Sequence, residues 1–321
     1  MSKIYSKIVA CGAYLPEKIL SNDDVAKIVD TSDEWIRERT GITQRHIAAE
    51  GELTSDLGYQ AALSALNNTK LQATDLDLII VATTTPDNIF PATATKIQHK
   101  LGMQHGFAFD VQAVCSGFVY ALTVADNFIK SGRIKNALVI GAETLSRILN
   151  WEDRNSCVLF GDGAGAVIVS ASSDSSSDIL DYELHSDGQF YEILNTDGGP
   201  SLTGGPGQIT MQGREVFKQA VTKMSKTVSD IIERNNLNVA DIKYVVPHQA
   251  NQRILSAVAK KLNITEDKLV STVAQHANTS AASIPLALYE TLRNNNLDRG
   301  DHIIFEALGA GLTWGSVLVK W

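Results

Sequence analysis

The sequence predicts an α/β fold in which a βαβαβ unit occurs twice, with pseudo-twofold symmetry between the copies. Apolar, β-branched runs alternate with segments whose apolar residues recur at helical spacing, a pattern typical of α/β proteins. The same order occurs between residues 76 and 141 and again between residues 242 and 307. We therefore expect two related, mostly parallel sheets with helices on both faces, and a site where their strand ends meet.

The first copy is expected to contain three strands and two helices. Residues 76–85 form an apolar run that ends in a polar turn, and residues 107–111 form a second such run. Apolar residues between 118 and 129 share one helical face. The remaining elements are a helix near residues 94–101 and a strand at residues 137–141.

The second copy repeats this order. Residues 242–246 predict its first strand, and a helix follows whose apolar face runs from residue 254 to residue 262. A short strand is expected at residues 269–273, then a helix at residues 281–293 and a strand at residues 302–307. Each copy therefore brings polar residues to the ends of equivalent strands.

The boundary between the copies is expected in the segment SASSDSSSD, residues 170–178, whose composition is typical of a solvent-exposed loop. The predicted halves are residues 1–172 and residues 173–321. Residues 187–207 are rich in glycine and polar side chains, which predicts an irregular surface segment.

Extra sequence precedes the first copy. Its segment DTSDEWIRERT, residues 30–40, predicts a short helix with Ser32 as the N-cap. Asp33 and Glu34 would lie in the first turn, where the helix dipole favours negative charge.

Composition narrows the class of protein. The chain has 321 residues, of which 44% are hydrophobic, so we expect one large or two fused domains with a full core. A net charge of -8 disfavours nucleic acid as a partner.

The sequence also predicts where the protein is found. It contains neither an apolar run long enough to span a membrane nor a signal-peptide pattern. Its three cysteines indicate free thiols in a reducing compartment. We therefore expect a cytoplasmic protein that binds no membrane.

Cys115 is the candidate nucleophile. It follows the strand expected at residues 107–111 and precedes a helix, whose positive end favours the reactive thiolate. Its small neighbours Ser116 and Gly117 let a substrate approach the backbone closely. A buried cysteine is more often a small core residue, and that is our interpretation of Cys11 and Cys157.

Two further polar residues occupy equivalent strand ends. His248 follows Pro247 at the end of the strand at residues 242–246, where ligands of parallel sheets usually bind. Asn278 lies in the segment HANTSAAS, in which His276 is a competing candidate and an N-cap is the structural alternative. Each residue alone is a weak signal, whereas three such residues in a duplicated fold indicate one active site.

Two glycine-rich segments have different interpretations. The turn LGAGLTWG, residues 308–315, follows a strand, and the Ala310 amide is expected to form an oxyanion hole with the amide of Cys115. A purely structural turn is the alternative. The run FGDGAG, residues 160–165, lacks the spacing of a phosphate-binding loop, so we interpret it as packing.

Several motifs, in this order, resemble those of the β-ketoacyl-acyl carrier protein synthase III family of the thiolase-like superfamily. The resemblance covers nearly the whole chain and includes DTSDEW, RTGI, RHIA, FGDGAG, VPHQAN, HANTSAAS and LTWGS. It implies a thiolase-like fold layered α/β/α/β/α, a homodimer, and a Cys-His-Asn triad of Cys115, His248 and Asn278. Elongating relatives use Cys-His-His, so Asn278 points to the branch that initiates fatty acid synthesis.

The resemblance also implies binding sites. Phe90 is expected to wall the partner subunit's acyl pocket. The residues expected to bind coenzyme A are Trp35, Arg39, Arg154, Gly213, Phe217 and Asn251. Acyl carrier protein is acidic, and the residues expected to contact it are Lys218, Gln249, Arg253, Lys260 and Lys261. An ordinary solvated helix face is the alternative for the lysines.

The implied reaction has two steps. Cys115 accepts an acyl group from acetyl-coenzyme A or another short acyl-coenzyme A. Malonyl-acyl carrier protein then loses carbon dioxide, with His248 and Asn278 donating hydrogen bonds, and condenses with the acyl-cysteine. This chemistry implies no cofactor and no metal.

Three rival functions stay open at this stage, and so does the primer. The first is transfer of the acyl group from cysteine to an alcohol, amine or aromatic acceptor. A Cys-His-Asn hydrolase and a catalytically silent acyl-coenzyme A-binding protein are the other two classes. The chain also departs from the commonest family pattern at Ala310, at residues 155–157 and at Arg214.

Overall fold

The computed structural model describes residues 3–294 and 297–321. Within them, the strands are β1 (Tyr5–Tyr14), β2 (Lys18–Ser21), β3 (Gln44–Ile47), β4 (Leu78–Ala82), β5 (Phe107–Val111), β6 (Asn136–Glu143), β7 (Gly163–Ser172), β8 (Asp178–Ser186), β9 (Leu194–Thr196), β10 (Ile209–Met211), β11 (Ile242–Pro247), β12 (His302–Gly309) and β13 (Thr313–Lys320).

The α-helices of the same residues include both long helices and single turns. They are α1 (Asn22–Val25), α2 (Asp33–Thr40), α3 (Thr54–Asn67), α4 (Thr93–Lys100), α5 (Gly117–Lys130), α6 (Arg154–Cys157), α7 (Gly213–Arg234), α8 (Gln252–Leu262), α9 (Val273–His276) and α10 (Ser283–Arg293). Short 3₁₀ turns at Val114–Ser116 and Ser280–Ala282 directly precede α5 and α10.

Two larger sheets carry the fold. The first has the order β1-β7-β6-β4-β5, and the second has the order β11-β12-β13-β8. Strands β4, β5 and β6 pair in parallel, as do β11 and β12, whereas β1, β7, β8 and β13 pair antiparallel with their neighbours. The expectation of mostly parallel sheets is therefore wrong, because four of the nine strands, β1, β7, β8 and β13, pair only antiparallel with their neighbours.

The helices form three layers around these sheets. Along β4, Ile79 and Val81 pack outward with α3 and α4, while Leu78 and Ile80 pack inward with α5. Such alternation follows from the period of two in a strand that is covered on both faces. Helix α10 shares the inner layer with α5, and α7 and α8 cover the outer face of the second sheet. The order of layers is α/β/α/β/α, which confirms the predicted fold class.

The duplication is visible in the sheet topology. Strands β4, β6, β7 and β1 occupy the positions of β11, β12, β13 and β8. The counterpart of β5 is reduced to a single parallel bridge between Leu269 and Val245. The strand predicted at residues 269–273 is therefore wrong, because Val273 already begins the one-turn helix α9.

Sequence-based boundaries agree with the structure in several places. Strand β5 and helix α2 lie where the sequence predicts them, and the Ser32 hydroxyl caps α2 by accepting from the Trp35 N–H at 3.1 Å. Strand β7 ends at Ser172, the last residue of the predicted first half. The division into halves at that residue stays a prediction. Residues 187–207, predicted to be irregular, contain a 3₁₀ turn and strand β9.

Candidate active site

A cavity of about 770 Å³ lies where the two halves meet. All three side chains predicted to be catalytic, those of Cys115, His248 and Asn278, line it. Their residues are only 6%, 2% and 6% exposed. The fold thus brings residues that are far apart in sequence to one buried space, at the ends of β5 and β11 and at the turn before α10.

A strained turn presents Cys115. The residue lies in the 3₁₀ turn between β5 and α5, and the preceding Val114 has a φ of 48°. This left-handed conformation is unfavourable for a β-branched residue and occurs mainly where the surroundings enforce it, often at functional sites. Gly309 packs directly on this turn, since a Cβ at that position would lie 2.8 Å from the Cys115 nitrogen.

Burial controls the protonation state of Cys115. Burial raises the pKa of its thiol to about 12, the Ser280 hydroxyl lowers it, and the charge of Glu143 raises it further. Burial therefore favours the neutral thiol in the resting site, and the thiolate that attacks has to form during the reaction.

His248 is held in place by backbone and side-chain groups. Its N–H donates to the Glu306 carbonyl at 2.7 Å, and its Nδ1 lies 2.8 Å from Ser283 Oγ. The Gln249 N–H donates to the same Ser283 oxygen at 3.3 Å. Burial lowers the pKa of His248 to about 3, against the effect of a hydrogen bond with the Ser280 backbone. The imidazole is therefore neutral at physiological pH.

Asn278 is fixed by hydrogen bonds on three sides. Its N–H donates to the Leu159 carbonyl at 2.9 Å, and its carbonyl accepts from the Gly161 N–H at 3.0 Å. Its Oδ1 accepts from the Ser280 N–H at 2.9 Å, so Nδ2 is the atom that can donate into the cavity. The competing candidate His276 does not line the cavity, and burial lowers its pKa to about 4.

The glycine-rich turn after β12 reaches the cavity. Ala310 and Gly311 line it together with Cys115. The Thr313 hydroxyl donates to the Ala310 carbonyl at 3.0 Å and is 2.8 Å from Ser116 Oγ. This turn and the nucleophile turn are therefore tied together, and the predicted oxyanion role of the Ala310 amide stays a prediction.

A cationic aromatic cluster lies beside the cavity. The guanidinium carbons of Arg39 and Arg154 are 4.4 Å and 5.1 Å from the centre of the Trp35 ring. Arg39 lines the main cavity, and Arg39 and Trp35 line an adjoining depression of about 420 Å³. An aromatic face flanked by two guanidinium groups can bind a planar ring and negatively charged phosphates.

The other residues predicted to contact coenzyme A lie nearby. Gly213 lines both the cavity and the adjoining depression, while Phe217 and Asn251 line the cavity. Asn251 is also the N-cap of α8, since its Oδ1 accepts from the Ile254 N–H at 3.0 Å. Its contact with a ligand stays a prediction.

Most residues predicted to contact acyl carrier protein are exposed. Arg253 lies at the start of α8 and lines the cavity, with its guanidinium 5.9 Å from the Phe217 ring centre. Lys260 and Lys261 are exposed at the end of α8, and Lys218 is exposed on α7. They form a basic surface that extends from the cavity along α8.

Gln249 is not part of this basic surface. The residue is 0% exposed, and its Nε2 donates to the carbonyls of Pro247 and Val270 at 2.8 Å and 3.1 Å. Its Oε1 accepts from the Thr272 N–H at 2.7 Å. The predicted contact with acyl carrier protein is therefore wrong, because the amide already joins the loop after β11 to the loop before α9.

Phe90 lies outside the cavity of its own subunit. It is 83% exposed, and the adjacent Ile89 is 77% exposed. Two adjacent, highly exposed apolar side chains form a small apolar patch, and contiguous apolar patches often mark an interaction surface. The predicted role of Phe90 in the acyl pocket of a partner subunit stays a prediction.

Sequence reasoning missed the roles of Glu143, Ser280 and Ser283. Both serines belong to the segment HANTSAAS, yet nothing in it indicated which groups they contact. Ser283 lies 35 positions from its partner His248, and Glu143 lies at the end of β6 in the other half. Only the tertiary structure brings these groups to the site.

Comparison with known proteins identifies the class as condensing acyltransferases of thiolase-like fold. Models of the 3-oxoacyl-[acyl-carrier-protein] synthase III family match residues 109–188 and, for its C-terminal part, 232–321. The β-ketoacyl-[acyl-carrier-protein] synthase III proteins of Paramagnetospirillum magneticum and Rhodospirillum centenum are 59% and 56% identical to the chain. The alignments cover 99% and 98% of the chain and 99% of each relative.

A solved structure agrees with these relatives. The crystal structure of 3-oxoacyl-[acyl-carrier-protein] synthase III from Aquifex aeolicus has a TM-score of 0.94 and 49% identity, over 98% of this chain and 100% of that one. The chain therefore belongs to the β-ketoacyl-[acyl-carrier-protein] synthase III family, condensing acyltransferases of fatty acid biosynthesis. The predicted family and class of enzyme are confirmed.

The described residues contain neither a metal-ligand cluster nor a membrane-spanning helix. Within residues 3–294 and 297–321, no three His, Cys, Asp or Glu side chains come together as ligands for a metal ion. In the same part of the chain, no helix combines the length and the apolar character needed to cross a membrane.

Proposed function

We propose that Cys115 accepts a short acyl group, acetyl in the first instance, from acyl-coenzyme A. The chain then condenses this group with malonyl-acyl carrier protein to give 3-oxoacyl-acyl carrier protein, carbon dioxide and free coenzyme A. The observation that carries the proposal is the convergence of Cys115, His248 and Asn278 at one buried cavity in a member of this family.

The first step is transfer of the acyl group. Cys115 loses its thiol proton as Sγ attacks the thioester carbonyl carbon, and coenzyme A leaves with a proton on its sulfur, so that no net charge is gained or lost. The amides of Cys115 and Ala310 stabilise the tetrahedral oxyanion, and Gly309 permits the close packing that brings their turns together. Loss of one such donor costs about 3–4 kcal/mol of transition-state stabilisation.

The second step requires hydrogen-bond donors rather than a base. Negative charge develops on the malonyl thioester oxygen as carbon dioxide leaves, and Asn278 Nδ2–H donates to it. In this proposal His248 donates through Nε2–H, and its Nδ1 accepts from the Ser283 hydroxyl, whose oxygen lies 2.8 Å away and also accepts from the Gln249 N–H. The carbanion then attacks the acyl-cysteine and releases the Cys115 sulfur.

Ser283 is thus a positioning residue, and its substitution is a test. We expect Ser283→Ala to slow decarboxylation of malonyl-acyl carrier protein by roughly threefold to tenfold, the value of one neutral hydrogen bond. Acetylation of Cys115 should change by less than about twofold. Separate measurements of carbon dioxide release and of single-turnover acetylation test this. Equal losses in both would indicate structural damage and contradict the positioning role.

At the entrance to the site, we propose that Trp35, Arg39 and Arg154 bind the adenine and phosphate groups of coenzyme A. The distances of 4.4 Å and 5.1 Å from the two guanidinium carbons to the Trp35 ring centre support this role. Gly213, Phe217 and Asn251 are proposed to contact the rest of the molecule. Together these residues extend from the adjoining depression to the cavity.

Arg253, Lys218, Lys260 and Lys261 are proposed to dock acidic acyl carrier protein. We expect Arg253→Glu to raise KM for malonyl-acyl carrier protein about tenfold at low salt, and less at high salt, because salt screens exposed charges. The matched control is Lys243→Glu, at the opposite end of β11, with an exposed side chain. Steady-state kinetics at two ionic strengths measure the effect. Equal KM values for the two variants would contradict the docking surface.

The remaining parts of the proposal are a homodimer in which Phe90 walls the partner subunit's acyl pocket, a cytoplasmic location, and a reaction without cofactor. The exposure of Phe90 supports the first. Sedimentation of wild type and Phe90→Ala, with a comparison of their rates for acyl-coenzyme A substrates of increasing length, tests the dimer and the pocket wall together.

The proposed function is tested by following radiolabelled acetyl from acetyl-coenzyme A, with and without malonyl-acyl carrier protein. We expect label on Cys115 that moves to acetoacetyl-acyl carrier protein when the malonyl donor is added. Label that the donor cannot discharge would indicate a different acceptor. Absence of label would indicate another primer or another nucleophile.

A further inference from the structure

The segment that joins β4 to α4, residues 83–92, contributes to two places where an acyl chain is proposed to bind. Thr84 lines the cavity that contains Cys115, whereas the exposed Phe90 is proposed to wall the pocket of a partner subunit. The segment contains neither helix nor strand. Its buried backbone groups therefore need hydrogen-bond partners elsewhere in the chain.

Glu143 binds the beginning of this segment. The residue ends β6, which pairs in parallel with β4, and it is 0% exposed. Its Oε2 accepts from the Thr85 hydroxyl at 2.6 Å and from the Thr85 N–H at 3.2 Å. The Thr84 N–H donates to both carboxylate oxygens, at 3.1 Å to Oε2 and at 3.2 Å to Oε1. One buried carboxylate therefore fixes two consecutive residues of the segment.

Helices α3 and α4 hold the same stretch. The Thr85 carbonyl accepts from the Thr54 hydroxyl at 2.6 Å. Two residues further on, Asp87 accepts from the Ser55 N–H at 2.9 Å, and its Oδ2 lies 2.7 Å from Lys96 Nζ. The first part of the segment is therefore held against the interior by groups from β6, α3 and α4.

The part of the segment that carries Phe90 has no such anchor of its own. Among the residues that the structure describes, residues 88–91 form no hydrogen bond. Beyond them, Asp110 of β5 accepts from the N–H groups of Thr93 and Ala94 at 2.7 Å and 2.8 Å, which fixes the start of α4. The position of Phe90 therefore depends on the anchors on either side of it.

We propose that Glu143 is a positioning residue that sets the acyl-chain selectivity of the enzyme by fixing the segment between β4 and α4. This inference rests on the proposed function, in which Cys115 accepts an acyl group and Phe90 walls an acyl pocket. A carboxylate suits the position, because both of its oxygens accept hydrogen bonds and neither donates. A glutamine has only one such oxygen, so at least one donor of the segment would lose its acceptor and the segment would loosen.

The experiment measures single-turnover acylation of Cys115 by acetyl-, butyryl-, hexanoyl- and octanoyl-coenzyme A. In the wild type we expect a steep dependence on chain length, because a fixed pocket can discriminate by about tenfold or more between chains that differ by one methylene. Glu143→Gln should reduce the ratio of the fastest to the slowest rate by about tenfold, while the fastest rate falls by less than about threefold. The matched control is Asp178→Asn, a buried carboxylate that accepts from the Ser6 N–H at 2.8 Å and lies outside the cavity lining. It should keep the wild-type ratio.

Thr85 provides a second test that leaves Glu143 intact. Thr85→Val removes the hydroxyl that donates to Glu143 at 2.6 Å with little change in size, whereas Thr85→Ser retains it. We expect chain-length selectivity to fall in the valine variant and to persist in the serine variant. Amide hydrogen exchange at Thr84 and Thr85 should be faster by about tenfold or more in Glu143→Gln, with the rest of the chain unchanged. A general loss of stability would accelerate exchange throughout the chain instead.

The outcomes separate this inference from the proposed function. Wild-type chain-length ratios in Glu143→Gln would overturn the role of Glu143, and so would a wild type that accepts all four chains at equal rates. If Glu143→Gln does not fold, equal ratios in Thr85→Val and Thr85→Ser would overturn it. Failure of the wild type to become acylated by any of the four chains would instead overturn the proposed function.

Discussion

Cys115→Ser is expected to abolish condensation while leaving decarboxylation of malonyl-acyl carrier protein. A serine hydroxyl in this buried site is a much weaker nucleophile than a thiolate, so acyl transfer should fall by roughly 10⁴-fold or more. His248 and Asn278, proposed to stabilise the decarboxylation transition state, are unchanged. Peptide mass spectrometry after incubation with acetyl-coenzyme A measures the first activity, and carbon dioxide release measures the second.

Cys11→Ser is the matched control for this substitution. Cys11 is also buried, 3% exposed, and lies outside the cavity lining. Its Sγ lies 3.5 Å from the Pro285 carbonyl, so a serine hydroxyl would find an acceptor there. We expect Cys11→Ser to become acetylated at nearly the wild-type rate. Acetylation of Cys115→Ser at a comparable rate would show that Cys115 is not the nucleophile.

The parts of the fold that the sequence predicts are those with strong local signals. Strand β5 and the capped helix α2 have periodic or capping patterns that act within a few residues. The antiparallel pairing of β7 with β1 and β6 depends on contacts between distant segments, for which local pattern holds no information. Residues 269–273 show the same limit, since an apolar run does not reveal whether a neighbouring strand will pair with it.

In the candidate site, too, some residues are predicted correctly from sequence motifs and others are not. Motifs identified Cys115, His248 and Asn278, and the fold then places all three at one cavity. Gln249 shows where a motif misleads, because its neighbour His248 faces the cavity while its own amide is buried among backbone groups. Position next to a functional residue does not determine the direction of a side chain.

The electrostatic state of the site follows from burial, which is a tertiary property. A helix N-terminus favours a thiolate by at most about 2 kcal/mol, whereas complete burial can shift a pKa by several units. The thiol of Cys115 and the imidazole of His248 are accordingly both neutral at rest. A neutral imidazole at His248 still has one N–H group, which it can donate to the malonyl thioester without a change of its protonation state.

Asn278→Asp is expected to have the opposite effect to Cys115→Ser: it should leave acyl transfer to Cys115 largely intact and impair decarboxylation and condensation. The new carboxylate would still accept from the Ser280 N–H, as the Asn278 Oδ1 does at 2.9 Å, so the turn before α10 should be retained. It would place negative charge where the thioester oxygen becomes negative and would remove the Nδ2 donor. We expect condensation and decarboxylation to fall by about 10³-fold, with acetylation of Cys115 much less affected.

The pH dependence of decarboxylation provides a control for the Asn278→Asp prediction. In its protonated form, the carboxyl group introduced by Asn278→Asp can donate a hydrogen bond, and burial favours that form. Decarboxylation by the variant should therefore increase as pH falls through the pKa of that carboxyl, whereas the neutral amide of the wild type has no such dependence. Asn278→His, which restores an N–H donor, should recover part of the rate at neutral pH. Normal decarboxylation by Asn278→Asp at neutral pH would show that Asn278 does not donate to the developing charge.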